Sequence, residues 1–169
     1  MLYYIILRGP LGVGKSTIAK KLVKILNAKV IHFDLVLKKY GLDKVDPLQG
    51  CISEKNFISA NKKVIPKAKN ILKKENVLIF DGCFYHKKQI TNLIKLMKFL
   101  KADYRIFTLK APVIECIKRD RLRNKTYGED AARCVHKLVS RFDYGITINT
   151  KGKTANQIIK KIISYLPKD

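Results

Sequence analysis

The sequence predicts an α/β protein with a doubly wound, five-stranded parallel sheet in three layers. Five short apolar segments alternate with helical patterns, which is the order produced by a parallel sheet with helices on both faces. The first segment, residues 2–7, is apolar at every position, as in a strand that is buried on both faces. A glycine-rich turn and a helical pattern follow it directly, as expected for the first unit of such a sheet.

The remaining elements continue the same alternation. Strands are expected at residues 29–34, 77–81, 104–109 and 144–149, and helices at 18–26, 53–74, 87–101, 112–123, 129–141 and after residue 154. Ser53 is the expected N-cap of the long helix 53–74, and Pro66 is a candidate site for a kink in it. Thr154 and Gln157 match the capping box that opens a helix. Residues 35–52 contain two glycines and a proline, which predict a helix followed by a loop.

The turn after the first strand carries a complete phosphate-binding motif. The run Gly9-Pro-Leu-Gly-Val-Gly-Lys-Ser-Thr17 matches G-x-x-x-x-G-K-S/T at every fixed position. Its glycines let successive N–H groups point at phosphate oxygens, and the next helix adds the positive end of its dipole. Lys15 is expected to reach the β- and γ-phosphates, and Ser16 to ligate Mg²⁺. The motif predicts binding of ATP or GTP by Gly9, Gly12, Val13, Gly14, Lys15, Ser16 and Thr17.

Two aspartates follow strands of the predicted sheet, Asp34 after the second and Asp81 after the third. Because the carboxyl ends of parallel strands meet at one edge, both should lie beside the phosphate loop. Phosphoryl transfer to a hydroxyl needs a carboxylate that orients the hydroxyl and takes its proton, and Asp34 is the candidate. Asp81 ends an apolar strand like that of a Walker B motif, so it is a candidate Mg²⁺ ligand or, with Gly82, an acceptor contact. The alternative is that each aspartate caps a helix or a turn after its strand.

Arginine is scarce in this chain, yet three of the seven arginines fall between residues 119 and 123. Arg119 and Arg123 are four residues apart and are expected to share a helix face, while Arg121 points elsewhere. A guanidinium fork fits the charge of a transferring phosphoryl group better than an ammonium does. Arg119 and Arg123 are therefore candidate catalytic residues, and a solvated basic face is the alternative.

For four other titratable residues the sequence predicts structural or exposed positions. Arg8, directly before the phosphate loop, and Arg141 are expected to be structural. His32 is expected to pack in the core, because it sits in an apolar strand, and His86 is expected to be an exposed loop residue.

Charge and cysteine content limit the partners and the compartment. The 36 Lys and Arg against 13 Asp and Glu give a net charge of +23, which attracts polyanions or phosphorylated ligands. A lysine-rich genome is the alternative explanation.

Four widely spaced cysteines without a Cys-x-x-Cys pair predict reduced thiols in the cytoplasm and no zinc site. No apolar run approaches the roughly 20 residues of a membrane helix, so no membrane partner is expected.

Together these residues resemble the small P-loop kinases. The loop Gly9–Thr17, Asp34, the Asp81-Gly82 pair and the Arg119-x-x-x-Arg123 pair are similar to one group among them. That group contains polynucleotide 5′-hydroxyl kinases, chloramphenicol phosphotransferase, zeta toxins and the kinase domain of seryl-tRNA kinase. Residues 111–120 resemble the segment that leads into the lid of those enzymes, and residues 81–85 are most similar to the seryl-tRNA kinases.

The resemblance implies a nucleotide-kinase-like P-loop NTPase fold and a phosphotransferase that uses ATP and Mg²⁺. It implies one domain over residues 1–169, with an acceptor-binding helical insert at about 35–74 and a lid at about 118–130. It also implies that Asp34 is the general base, that Arg119 and Arg123 clamp ATP and stabilise the transferred phosphoryl, and that Asn149 contacts the base. The chain departs from polynucleotide kinases at Leu37, where they have an arginine, and residues 83–86 lack the Phe-Pro-Arg run of adenylate-kinase-like enzymes.

The sequence thus predicts a Mg²⁺-dependent kinase that transfers the γ-phosphoryl of ATP to a hydroxyl. The positive charge favours a nucleic acid end or another polyanion as acceptor, whereas the missing arginine favours a nucleoside or a small metabolite. A nucleotide monophosphate kinase is one alternative. An RNA-binding NTPase switch that has no acceptor is an alternative of another class.

Overall fold

The computed structural model describes residues 1–167 and confirms the predicted sheet. Its strands are β1 (Tyr3–Arg8), β2 (Lys29–His32), β3 (Val45–Asp46), β4 (Cys51–Ile52), β5 (Val77–Gly82), β6 (Asp103–Lys110) and β7 (Ile146–Asn149). Five of them form one parallel sheet in the order β2-β5-β1-β6-β7, and β3 and β4 pair separately as a short antiparallel ladder. The central strand β1 has Leu7 beside Asp81 of β5 and beside Phe107 of β6. The carboxyl end of β1 therefore lies between the ends of β5 and β6.

Helices connect the strands in the expected alternation. Those of the described residues are α1 (Lys15–Ile25), α2 (Phe33–Lys39), α3 (Glu54–Glu75), α4 (Lys87–Met97), α5 (Val113–Arg121), α6 (Glu129–Val139) and α7 (Ala155–Ile163). The expected caps are present at Ser53, which accepts a hydrogen bond from the N–H of Asn56, and at the Thr154–Gln157 capping box. Helix α3 continues through Pro66 as one element. Among residues 1–167, no helix has the length and apolar character needed to cross a membrane.

The side chains of β1 alternate between two cores. Tyr4 and Ile6 pack with residues of α3 and α4, whereas Ile5 and Leu7 pack with residues of α1 and α7. All four side chains are at most 1% exposed. Because successive residues of a strand point to opposite faces, the sheet is the middle of three layers, as predicted.

Arg8 ends β1 as a fully buried arginine and is structural, as expected. Its guanidinium donates to the carbonyl oxygens of Phe84, Phe142 and Val139 at 3.1, 3.2 and 2.8 Å, and to Thr108 Oγ1 at 3.1 Å. It also lies 4.3 Å from the centre of the Phe142 ring. Arg8 thus ties the central strand to the end of α6 and to the loop after β5.

Two expected boundaries are wrong in ways that matter for the site. Strand β2 ends at His32, so Asp34 lies in the first turn of α2 instead of ending a strand. Helix α5 ends at Arg121, so Arg123 lies in the following loop and does not share a helix face with Arg119. The segment 35–52 contains most of α2 and the β3–β4 ladder, in agreement with the expected helix and loop.

Candidate active site

The phosphate loop lies between β1 and α1, and its glycines allow a close approach to other elements. Gly12 has a φ of +76°, and a Cβ atom there would lie 2.1 Å from the carbonyl oxygen of Cys116 in α5. A Cβ atom at Gly9 would lie 2.8 Å from the carbonyl oxygen of Leu109. Gly14 is the N-cap of α1 with a φ of +102°. The loop is therefore pressed against α5, the helix that carries Arg119.

Lys15 is the first residue of α1 and is buried. Its Nζ donates to the carbonyl oxygen of Pro10 at 2.8 Å and contacts Cys83 Sγ at 3.7 Å. Burial raises the pKa of the Cys83 thiol to about 11, so the thiol is neutral at physiological pH. Among the described residues Lys15 forms no ion pair. A buried ammonium whose partners are neutral is suited to an anionic ligand.

Asp81 lies at the end of β5 and is only 4% exposed. Its Oδ2 accepts a hydrogen bond from Ser16 Oγ at 3.1 Å and lies 2.8 Å from His32 Nδ1. This hydrogen bond raises the pKa of His32 above its ordinary value, while burial acts in the opposite direction. Asp81 Oδ1 is buried and has no hydrogen-bond partner among the residues that the structure describes. The carboxylate thus has one oxygen held by two neighbours and one oxygen available to a ligand.

Asp34 lies in the first turn of α2 and is exposed. Its Oδ2 accepts a hydrogen bond from the phenol of Tyr127 at 3.3 Å. Burial and the charge of Asp34 raise the pKa of Tyr127 to about 12, so the phenol keeps its proton at neutral pH. This contact joins α2 to the segment between α5 and α6.

Arg119 reaches from α5 to the phosphate loop. Its Nη1 donates to the carbonyl oxygen of Val13 at 3.3 Å, and its Nη2 lies 3.3 Å from Glu115 Oε2. The side chain is half-buried, and its guanidinium is already positioned beside the loop.

The segment between α5 and α6 is organised by the buried Asp120. Its Oδ2 accepts hydrogen bonds from the N–H groups of Tyr127 and Gly128 at 3.0 and 3.2 Å. Arg123 lies 3.6 Å from Asp120 Oδ1 and 5.3 Å from the centre of the Tyr127 ring. Arg121 forms an ion pair with Glu129 and does not line the cavity, in agreement with the expectation that it points away from Arg119.

These side chains surround one cavity of about 260 Å³ at the carboxyl edge of the sheet. It is lined by Leu11, Gly12, Gly14, Lys15, Ser16, Thr17, Asp34, Asp81, Arg119 and Arg123. All four predicted catalytic residues are in this set, although Asp34 and Arg123 lie outside the elements in which they were expected. A cationic loop, two carboxylates and two guanidinium groups therefore face the same space.

Four predicted site residues do not line the cavity: Gly9, Val13, Gly82 and Asn149. Gly82 is buried at the end of β5, where a Cβ atom would come within 3.0 Å of Phe33 and Phe84, so its visible role is packing. Asn149 is exposed at the end of β7, and its Oδ1 accepts a hydrogen bond from the N–H of Lys151 at 2.9 Å. Val13 turns its side chain into the core beneath α1.

Two histidine expectations are wrong, and the sequence reasoning missed one tyrosine. His32 is partly exposed and bonded to Asp81 because β2 ends there and the chain turns into α2. His86 is half-buried, with Nε2 2.9 Å from the carbonyl oxygen of Ile52. Tyr127 and its contact with Asp34 carry no short-range signal, since the two residues are 93 positions apart.

The oxygen donors of the cavity fit Mg²⁺ bound together with a nucleoside triphosphate. Mg²⁺ prefers oxygen ligands and takes most of them from phosphates and water, with one or two from the protein. The Ser16 hydroxyl and the unpartnered Asp81 oxygen are such donors. Among residues 1–167, no group of three or more His, Cys, Asp or Glu side chains could hold a metal ion.

The parallel sheet, the glycine-rich loop and the cavity at its mouth define the chain as a domain of the P-loop kinase class. It belongs to the family described as "AAA domain" (AAA_33), whose model matches residues 5–142. No curated protein matches the sequence at a significant level.

Solved structures share this fold at low sequence identity. A gluconokinase from Sinorhizobium meliloti is 9% identical with a TM-score of 0.70, covering 96% of this chain and 90% of its own. The APS kinase CysC of Mycobacterium tuberculosis, solved with AMPPNP and APS, is 13% identical with a TM-score of 0.69 and 96% coverage of both chains. A shikimate kinase from Acinetobacter baumannii, solved with shikimate, is 20% identical with a TM-score of 0.62, covering 97% and 92%. At these identities the likeness establishes the fold.

Proposed function

We propose that this protein is a Mg²⁺-dependent kinase that transfers the γ-phosphoryl group of ATP to a hydroxyl acceptor. One observation carries the proposal: a single cavity holds the phosphate loop, two aspartates and two arginines. An NTPase that only binds nucleotide has no need for an exposed second carboxylate, such as that of Asp34, in the cavity of its phosphate site. The fold shared with a gluconokinase, an APS kinase and a shikimate kinase supports the same class of reaction.

The phosphates are proposed to bind in the loop of residues 9–17, with the backbone N–H groups and Lys15 as donors. Lys15 would exchange the carbonyl of Pro10 for phosphate oxygens, which pair better with an ammonium than a neutral carbonyl does. Arg119 already touches the loop, and Arg123 lines the same cavity. Both guanidinium groups would stabilise the charge of the transferring phosphoryl. Asn149, at the end of β7, is proposed to contact the nucleotide base.

Asp34 is proposed as the general base. Its carboxylate accepts the proton of the acceptor hydroxyl as the hydroxyl oxygen bonds to the γ-phosphorus and the bond to the β-phosphate oxygen breaks, with ADP as the second product. The position of Asp34 at the start of α2 makes residues 35–74 the proposed acceptor side of the site. Residues 118–130, which carry both arginines and Tyr127, are the proposed lid.

Ser16 and Asp81 are proposed to hold Mg²⁺, which would neutralise phosphate charge. The Ser16 hydroxyl donates a hydrogen bond to Asp81, so the lone pairs of its oxygen stay available to a cation. Asp81 receives that hydrogen bond on Oδ2 and keeps Oδ1 free. The same Oδ2 atom lies 2.8 Å from His32 Nδ1. Ser16 and His32 therefore fix one orientation of the Asp81 carboxylate beside the phosphate loop.

The test is incubation with γ-labelled ATP and parallel pools of nucleosides, small hydroxyl metabolites and 5′-hydroxyl RNA. The expected result is label in one acceptor pool. Asp34→Asn should keep ATP affinity while transfer falls by about 10²–10⁴-fold. Asp103→Asn is the matched control, because Asp103 is an exposed carboxylate at the start of β6 that does not line the cavity.

Three results would contradict the proposal. ADP and inorganic phosphate as sole products in every pool would favour a nucleotide switch. Rapid conversion of nucleoside monophosphates to diphosphates would favour a nucleotide monophosphate kinase. Undiminished transfer by Asp34→Asn would exclude Asp34 as the base.

A further inference from the structure

Helix α3 presents an exposed face that is strongly basic. Six exposed lysines lie between its residues 62 and 74: Lys62, Lys63, Lys67, Lys69, Lys73 and Lys74. None of them forms an ion pair in the part of the chain that the structure describes, and no exposed residue of this stretch is acidic. Unpaired cations at this density repel one another, so an anionic partner would relieve the repulsion.

One row of these lysines follows a groove on the surface. Lys67 and Lys74 lie 4 and 11 residues after Lys63. These spacings place the three lysines on one side of the helix over about 16 Å. Lys67 and Lys74 line a groove of about 290 Å³ between α3 and the edge strand β2. Lys29 and Asn70 also line it, and its single carboxylate, Glu75, lies 3.5 Å from the Lys29 ammonium.

An exposed aromatic ring stands at the end of this row. Tyr40, the C-cap of α2, is 42% exposed. The ammonium groups of Lys39 and Lys63 lie 5.6 and 5.4 Å from the centre of its ring. Proteins that bind single strands use positive groups to bind the phosphates and exposed aromatic rings to stack on the bases. Tyr40 and its two lysine neighbours combine both.

Helix α2 connects the ring to the cavity. Asp34 lies in its first turn and Tyr40 directly follows its last residue, so about 9 Å of helix separates them along the axis. The lysine row, Tyr40 and Asp34 therefore follow one another in this order, as a surface path that turns around the axis of α2 before it reaches the proposed general base.

We propose that this path, formed by Lys63, Lys67, Lys74, Lys29 and Tyr40, binds a single-stranded nucleic acid whose terminal hydroxyl is the phosphoryl acceptor at Asp34. The inference rests on the proposed kinase function and names the acceptor class. A small metabolite would use the cavity alone and leave the 16 Å lysine row without a ligand. An anionic membrane surface fits less well, because the large apolar residues of α3, such as Phe57, Val64 and Leu72, are buried and cannot enter a bilayer.

Binding is tested without ATP, by fluorescence anisotropy of a labelled single-stranded oligoribonucleotide across a salt series. The wild-type protein should bind at low salt and lose affinity steeply as salt rises. In the triple variant Lys63→Gln, Lys67→Gln, Lys74→Gln, the slope of log K against log salt should fall by about 2, since each lost phosphate contact removes about 0.7 for a single strand. Tyr40→Leu should weaken binding about tenfold through lost stacking, whereas Tyr40→Phe should retain it.

The matched control carries the same charge change on the other face of the sheet. Lys153, Lys160 and Lys161 are exposed residues at or near α7, which packs with α1 in the opposite core. Their triple change to Gln should leave the salt slope within about half a unit of the wild-type value, because distant charges are screened. Equal losses in both triple variants would overturn the path and indicate attraction by net charge alone.

The experiments distinguish a failure of the proposed kinase activity from a failure of the proposed nucleic-acid path. With γ-labelled ATP, the expected result is a labelled RNA end whose yield falls in the α3 triple variant and not in the control. Label in a small metabolite, with no RNA bound at low salt, would overturn the path and leave the kinase standing. Tight RNA binding with no labelled acceptor in any pool would overturn both the kinase and the acceptor role. Binding to phosphatidylserine vesicles and not to RNA, lost in the same triple variant, would replace the nucleic acid with a membrane surface.

Discussion

His32 Nδ1 lies 2.8 Å from Asp81 Oδ2, the same oxygen that accepts the Ser16 hydroxyl proton. The histidine therefore shares in orienting a carboxylate that is nearly inaccessible to water. Within residues 1–167, the other carboxylate oxygen has no hydrogen-bond partner beside the phosphate loop.

His32→Ala should weaken the Mg²⁺ dependence of nucleotide binding, because Asp81 loses one of the two donors that fix its orientation. The concentration of Mg²⁺ needed for half-maximal binding of a fluorescent ATP analogue should rise roughly tenfold. His32→Asn, which keeps a donor, should recover part of the loss. His136→Ala is the control, since His136 is also hydrogen-bonded but to the carbonyl of Ala111, away from the cavity. A fall in thermal stability with no change in the Mg²⁺ titration would leave His32 a structural role only.

Arg119→Lys should lower phosphoryl transfer by at least about a hundredfold while ATP affinity changes less. Lysine keeps the charge but cannot span the loop and the transferring phosphoryl with a planar fork. Arg121→Lys is the matched control from the same helix, because Arg121 pairs with Glu129 and does not line the cavity. Steady-state kcat and KM for ATP measure both effects. Similar losses in the two variants would show that general charge, and not the Arg119 fork, supports transfer.

Arg8→Met should destabilise the fold by about 4 kcal/mol, since the change leaves buried carbonyl groups without donors. Burial lowers the pKa of Arg8 to about 10, so it remains charged at neutral pH and its four hydrogen bonds persist there. Urea unfolding followed by circular dichroism gives the difference. Arg105→Met, at a half-exposed position of β6, should cost less than about 1 kcal/mol. Equal stabilities of the two variants would contradict the structural role of Arg8.

Alkylation of the cysteines should depend on burial and pH. Only the thiolate reacts, and burial raises the pKa of Cys83 to about 11 and the pKa values of Cys51 and Cys116 above their ordinary value. In the native protein at about pH 8, iodoacetamide should modify the half-buried Cys134 first and Cys83 last. Below its pKa, labelling of Cys83 should increase about tenfold per pH unit. Peptide mapping by mass spectrometry follows each site, and fast labelling of Cys83 at neutral pH would contradict its burial against Lys15.

The sequence allowed prediction of the sheet and the phosphate loop because both depend on local patterns. Apolar runs identify buried strands, and the loop motif fixes glycines, Lys15 and Ser16 at set spacings. Asp34 was predicted as a site residue although it lies in a helix, since a residue just after a strand stays at the same sheet edge even when the helix begins early. The end of β2 was mispredicted because Phe33, which is 1% exposed, packs inward from the first turn of α2.

The contacts that complete the site join distant parts of the chain, and no spacing rule reports them. His32 and Asp81 are 49 positions apart, and Tyr127 and Asp34 are 93 apart. Each pair depends on which strands become neighbours and on the course of the segment after α5. The exposed position of Arg123 beyond the end of α5 has the same origin, since Asp120 accepts the N–H groups of Tyr127 and Gly128 and folds that segment back.

The phenol of Tyr127 donates a hydrogen bond to one carboxylate oxygen of Asp34, the proposed general base. Under the proposed mechanism, an acceptor hydroxyl that binds this oxygen has to displace the phenol. An acceptor that competes with the phenol better than water does would then be the preferred proton donor, and this would couple the consumption of ATP to the presence of an acceptor.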